Sequence, residues 1–322
     1  MALRTRLVEL LGIEHPIISA PMAFAAGGKL AAAVSEAGGL GLIGGGYGDA
    51  EWLRREFANA GQARVGCGFI TWSLATKPDA LDVALAYHPA AVMLSFGSPA
   101  SFAQRIKASG AKLICQAQSM DHARQAVAAG VDIVVAQGSE AGGHGHVRAT
   151  MTLVPEVADF LAREAPHVVL VAAGGIADGR GLAAALMLGA EGVLIGSRFW
   201  ASSEALVHRN LQERACESDG DATIRTTIVD AARNISWPKP FTARVLRNRF
   251  VDDWLGRESE LAQPEVAERE KQRYYAAMER GDADNTGVWV GEAVGAISEI
   301  RPAGELVREI VQDAERRLRS SR

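Results

Sequence analysis

Residues 168–198, VVLVAAGGIADGRGLAAALMLGAEGVLIGSR, restrict the possible fold more than any other stretch of the chain. The run 168–173 is short and apolar, suited to a strand buried on both faces. Gly174 and Gly175 then allow a turn that a Cβ would obstruct, and they leave their amides free. Asp178 is placed to cap a helix over 179–188, which Gly189 ends. A second strand over 192–195 closes in Gly196 and Ser197. Two adjacent turns with bare amides and a hydroxyl form a phosphate cradle, which (β/α)8 barrels commonly set after their seventh and eighth strands.

Six further β/α units precede this pair. Strands are expected over 16–22, 39–44, 64–71, 91–96, 112–116 and 132–137, each followed by a helix. Glycine stands at most helix ends (Gly38, Gly61, Gly110, Gly130, Gly189). Strands alternating with amphipathic helices imply a parallel sheet, and eight such units imply an α/β fold closed into a (β/α)8 TIM barrel. An eighth helix is expected over 203–217. Beyond it the pattern breaks at Trp237-Pro238-Lys239-Pro240-Phe241, a charged helix over 264–280 and a glycine turn after Trp289. The expected division is a barrel over 1–221, a small helical insertion or lid over 222–286, and a segment over 287–322 whose helix, 303–319, packs back on the barrel. Trp237, Phe241 and Trp289 need somewhere to bury apolar area, and the ligand-bearing rim is the expected place.

A chain of 322 residues, 48% hydrophobic and 22% charged, can bury a large core. A net charge of −4 gives no reason to expect nucleic acid or an anionic membrane as partner. The start, MALRTRLVELLGIEHP, lacks the apolar core of a leader, and no apolar run is long enough to span a bilayer. Cys67, Cys115 and Cys216 lie far apart, which suits reduced thiols and a cytoplasmic setting. Cys67 and Cys115 fall in expected strands and read as core packing.

Gly39-Leu-Gly-Leu-Ile-Gly44 matches a dinucleotide fingerprint by spacing only. That motif must follow a strand and open a helix, whereas here its apolar residues are the strand. Ser139-Glu-Ala-Gly-Gly-His-Gly-His146 follows the sixth strand, on the rim where barrels keep their chemistry. An imidazole there titrates near neutrality and suits proton transfer. A metal site at His144 and His146 would need a third ligand, and none is recognisable nearby. The remaining histidines read as structural. Ala20-Pro21-Met22 ends the first strand, Gln116 and Gln118 the fifth, and Gln137 the sixth. Strand-end amides can pair with the carbonyls and nitrogens of a flat ring. With the phosphate cradle, these residues suggest flavin mononucleotide (FMN).

The segments PIISAPMA, CQAQ, VVAQGSEAGGH, VAAGGIADGRG and VLIGSRF resemble the nitronate monooxygenase family, over about residues 10–199. The FMN-dependent enoyl-acyl-carrier-protein reductases and an NADH:quinone reductase branch are its near relatives. The resemblance implies that His144 is catalytic and His146 is not. It puts Ala20, Pro21 and Met22 on the FMN ring with Gly142 and Gly143 beside it, and Gly174, Gly175, Gly196 and Ser197 on the phosphate. Gln116 stands where some relatives carry lysine, and Gly68 where some carry asparagine. Losing the lysine removes a positive charge near the flavin. The implied reaction is oxidation of a small alkyl nitronate, such as propionate 3-nitronate, with dioxygen and without a nicotinamide. The alternative is an FMN-dependent reductase using NAD(P)H on an enoyl thioester or a quinone. A homodimer is plausible on the same resemblance. An IMP dehydrogenase-like barrel would need a rim cysteine, and none of the three occupies one.

Overall fold

The computed structural model describes residues 3–320. The barrel strands are β1 (Ile17–Ser19), β2 (Leu42–Gly46), β3 (Gly66–Ile70), β4 (Ala91–Ser95), β5 (Lys112–Ala117) and β6 (Ile133–Gln137). A short strand outside the barrel, β7 (Gly143–Gly145), comes next, and β8 (Val169–Ala173) and β9 (Val193–Ile195) complete the barrel. The eight are parallel in the order β1-β9-β8-β6-β5-β4-β3-β2. A bridge between Ile18 and Leu40 joins the two ends. The chain is therefore a (β/α)8 barrel, as its periodicity requires.

The run 39–44 differs in detail from expectation. Leu40 bridges β1, but regular pairing with β3 starts only at Leu42. A Cβ at Gly41 would overlap Ala31 O, because helix Gly28–Glu36 crosses the start of this strand at backbone contact. Glycine here serves close packing rather than a nucleotide.

Side chains of alternate strand positions, among them Ile18, Leu42, Met93, Ile114, Val135 and Val171, fill the barrel interior. Leu7 and Leu11 of the N-terminal helix Arg6–Leu11 join that cluster. Leu7 approaches Gly192, at the start of β9, so the N-terminal end of the barrel is plugged. A ligand must therefore enter from the opposite end. Cys67 and Cys115 are buried in the layer between strands and helices. Burial pushes both thiols up to about 12, which makes them packing groups rather than nucleophiles.

Two expectations are corrected outside the barrel. The helix expected over 203–217 is only Arg209–Cys216, capped by His208. Preceding residues are held as a loop, with Ser203 N–H donating to Arg301 O and Leu206 N–H to Ala25 O. The insertion expected to be helical also contains β10 (Thr223–Thr226) and β11 (Thr242–Leu246), which pair antiparallel. β11 also pairs with β7, setting Ala243 opposite His144. Two strands of four or five residues carry too little periodicity to be separated from loop.

Helices Pro264–Arg280 and Ala303–Ser320 form where the pattern places them. The latter packs Leu306, Val307, Ile310 and Val311 into the outer barrel core. A Cβ at Gly179 would lie 2.5 Å from Ala314 N, so glycine permits this close helix approach. No helix among the described residues is long and apolar enough to cross a membrane.

Candidate active site

A cavity of about 950 Å³ opens at the C-terminal ends of the barrel strands. The eleven residues that the resemblance and the cradle assign to catalysis or FMN binding all line it: Ala20, Pro21, Met22, Gln116, Gly142, Gly143, His144, Gly174, Gly175, Gly196 and Ser197. They come from five separate rim segments that the barrel closure gathers. Gln118 is not among the lining residues. Its amide instead donates to Gln137 Oε1 at 3.1 Å, as does Gln116 Nε2 at 2.6 Å. Ser95 Oγ donates to Gln116 Oε1 at 3.0 Å. The two glutamines that face the cavity, Gln116 and Gln137, are thus fixed by neighbouring amides and a hydroxyl. A Cβ at Gly68 would overlap the ring of Pro21. An asparagine could not occupy that position without displacing the Ala20-Pro21-Met22 turn.

The phosphate end is built from backbone. Gly174 and Gly175 hold φ of 97° and 73°, the left-handed region that glycine alone enters cheaply. Their amides donate to no other described group. Thr150 Oγ1 lies 3.0 Å from Gly174 O and fixes the turn. Asp178 accepts from Arg180 N and Gly181 N at 2.9 and 3.2 Å, capping helix Gly179–Met187. Across the cradle, Ser197 Oγ accepts the Gly291 amide at 2.9 Å and keeps its own proton to donate. A Cβ at Gly196 would meet nothing nearer than Ala20 Cβ at 3.7 Å. No protein neighbour requires glycine there, and the space it leaves belongs to the cavity.

His144 lies at the other end. Register with β11 fixes its backbone, and it is 9% exposed. Nε2 lies 2.9 and 3.0 Å from the two carboxylate oxygens of Asp230, itself buried. The indole of Trp237 covers one face of the imidazole, with ring centroids 3.4 Å apart and planes 9° from parallel. Burial pushes the His144 pKa below the ordinary histidine value. The Asp230 hydrogen bond and charge oppose that shift without overcoming it. The ring is therefore neutral near neutral pH, with Nε2–H donated to Asp230. Nδ1 carries the lone pair and has no hydrogen-bond partner among the described residues.

The segment that supplies Asp230 also supplies the roof. Trp237 Nε1 donates to the Tyr47 hydroxyl at 3.2 Å, and Trp289 lies tilted 5.6 Å from His144. The expected aromatic cover thus sits over the cavity, with Trp237 and Trp289 lining it. Phe241 packs on Phe96 at 5.3 Å and reinforces it from behind. Phe24 and Phe96 line the rim with φ of 63° each, a costly conformation for bulky side chains. Asp230, Arg233 and Tyr47 are site residues that sequence reasoning missed. No motif surrounds them, and only the pairing of β11 with β7 brings Asp230 to the histidine.

This arrangement can hold a phosphate, a flat ring and a small substrate beside a neutral base. Comparison with known proteins agrees with that architecture. The nitronate monooxygenase family model matches residues 4–66 and 70–313. The chain is 34% identical to a nitronate monooxygenase of Neurospora crassa, over 94% of this chain and 90% of that protein. Among solved structures, FabK from Thermotoga maritima is 34% identical with a TM-score of 0.85, covering 98% of each chain. Nitroalkane oxidase from Streptomyces ansochromogenes is 27% identical with a TM-score of 0.81, over 99% of this chain and all of that one. The family model spans nearly the whole barrel and its insertion, and on that ground this chain, an oxidoreductase, belongs to the nitronate monooxygenase family.

Proposed function

We propose that the protein oxidises small alkyl nitronates with dioxygen, using FMN held in the cavity. The observation that carries this reading is a neutral, carboxylate-anchored His144 in the same cavity as an open phosphate cradle. FMN when bound supplies the electron acceptor between substrate and dioxygen. Gly174, Gly175, Gly196 and Ser197 would hold its single phosphate through amides and a hydroxyl. Ala20, Pro21 and Met22 would support the ring, with Gln116 and Gln137 presenting amides to its polar edge. These residues fit one phosphate monoester, since the cradle is a pair of adjacent turns.

His144 then has two tasks that follow from its geometry. With Nε2–H held by Asp230, Nδ1 can accept the α-proton of a neutral nitroalkane or, once protonated, hydrogen-bond a nitronate oxygen. Trp237, stacked on the ring, keeps water from that face and fixes the direction of the lone pair.

The cradle reading has a direct test. Gly196→Ala should leave the fold intact, because its Cβ meets no atom closer than 3.7 Å, but the methyl intrudes on the space meant for phosphate. Wild-type protein should release FMN on heating. The variant should bind added FMN at least about 10-fold more weakly, the effect of overpacking by one methyl group. Flavin fluorescence titration of the apoprotein measures this, and an unchanged affinity would remove Gly196 from the phosphate site.

The reaction is tested by anaerobic stopped-flow reduction of the bound flavin at matched concentrations of propionate 3-nitronate, NADH and NADPH. The nitronate should reduce it fastest, and aerobic turnover should consume oxygen. Rapid reduction by a pyridine nucleotide with negligible reduction by nitronate would establish the reductase reading instead.

A further inference from the structure

Arg233 is a cation that the reading above leaves unused. It lines the cavity and is only 9% exposed. Its guanidinium lies between two aromatic rings, 5.7 Å from the centroid of Tyr47 and 5.2 Å from that of Trp289. A guanidinium has five N–H donors in a rigid plane. The partners available to them are weak or neutral. Nη2 reaches the Tyr47 hydroxyl at 3.5 Å, and the Tyr275 phenol also lines the cavity. Asp230 lies nearest among carboxylates, at 3.8 Å from Nη1, beyond hydrogen-bonding reach. Both Asp230 oxygens are instead turned to His144 at 2.9 and 3.0 Å. Nor can Tyr47 serve as a counter-anion. Burial raises its pKa, so it stays a neutral phenol.

Asp230 is thus a charge partner at a distance, and the guanidinium N–H donors are left without a charged acceptor at hydrogen-bonding range. A ligand can bring that acceptor, and the planar fork suits two coplanar oxygens on one atom. From this geometry we infer that Arg233 is the anion receptor of the cavity. It selects the ionised nitronate, or another small planar oxyanion, over its neutral counterpart. Arg233, His144 and Trp237 line the same cavity, so such an anion shares it with the histidine. The inference deepens the nitronate reading and rests on it for the identity of the natural ligand. Arg233 as an oxyanion receptor does not require that any nitronate be oxidised.

The test therefore uses an anion that cannot be oxidised. Nitrate, planar and of nitronate shape, is titrated into the flavin-loaded enzyme, and the change in flavin absorbance or tryptophan fluorescence gives its Kd. Neutral nitroethane, kept well below its ionisation range, is titrated in parallel. Arg233→Met should weaken nitrate binding roughly 10- to 100-fold, the worth of charged hydrogen bonds, and leave nitroethane within a few-fold. Arg233→Lys retains the charge without the fork and should fall between wild type and Arg233→Met. Should Arg233→Met fail to fold, the Arg233→Lys comparison of nitrate with nitroethane decides alone. Equal losses for both ligands would reduce Arg233 to a packing residue, and unchanged nitrate affinity would overturn the receptor. Nitrate selectivity with no nitronate oxidation would uphold the receptor and reject the proposed reaction.

Discussion

His144→Ala lowers kcat/KM for a neutral nitroalkane by at least about 100-fold, the usual cost of losing a positioned base. His146→Ala stays within several-fold. The two residues are separated by one glycine yet occupy different surroundings. His144 is buried against Trp237 and bonded to Asp230, whereas His146 is absent from the cavity lining. With preformed nitronate the His144→Ala loss should shrink, because the proton is already gone. FMN content should survive both changes, since neither histidine touches the cradle. Steady-state kinetics with paired nitroethane and ethyl nitronate measure all of this. Equal effects at the two positions would show that the loop, not the imidazole of His144, matters.

The second large effect is expected at Asp230, a positioning residue that acts through the histidine. Asp230→Ala should lower kcat/KM for neutral nitroalkane by about 10²-fold, because nothing then fixes which nitrogen of His144 carries the proton. Asp230→Asn keeps the shape but presents an amide that can donate to Nε2. That donation puts the proton on Nδ1 and removes the base from the cavity side, so the conservative change should be at least as damaging as alanine. A pH profile separates this role from mere packing. Burial already holds the His144 pKa low, and Asp230 pulls it upward. Activity on neutral nitroalkane needs the unprotonated ring and falls as pH drops through that pKa. Removing Asp230 deletes the upward contribution and leaves the lowering one of Arg233, so the acidic limb must move to lower pH. A limb that stays in place would mean that Asp230 does not act through His144.

These two residues also mark where sequence reading stops. His144 is legible because its whole context is local. A strand ends, three glycines follow, and a histidine sits among them on the rim. The glycine pairs of the cradle are legible for the same reason, since a turn, a cap and a helix start occupy one short run. Asp230 lies 86 residues downstream and has no motif of its own. Its neighbours in sequence, Ile228, Val229 and Ala232, read as ordinary core, and they are fully buried. Arg233 likewise follows an unremarked helix, Ile228–Ala232.

The sequence by itself determined the barrel and the rim positions that meet at the cavity. Short apolar strand runs alternating with amphipathic helices, punctuated by glycine, imply a closed barrel once eight units repeat. It also located the aromatic segment that roofs the site, although not its strands. Only the tertiary structure decided what the histidine touches. β11 adds to β7 through backbone hydrogen bonds, which carry little side-chain signature, and that pairing delivers Asp230, Arg233 and Trp237 together. Gln118, a plausible ring contact by position, was diverted to Gln137 by packing. Local chemistry is written in short windows of sequence. The charge, tautomer and cover of His144 depend on a long-range strand pairing, and that is settled only when the chain is folded.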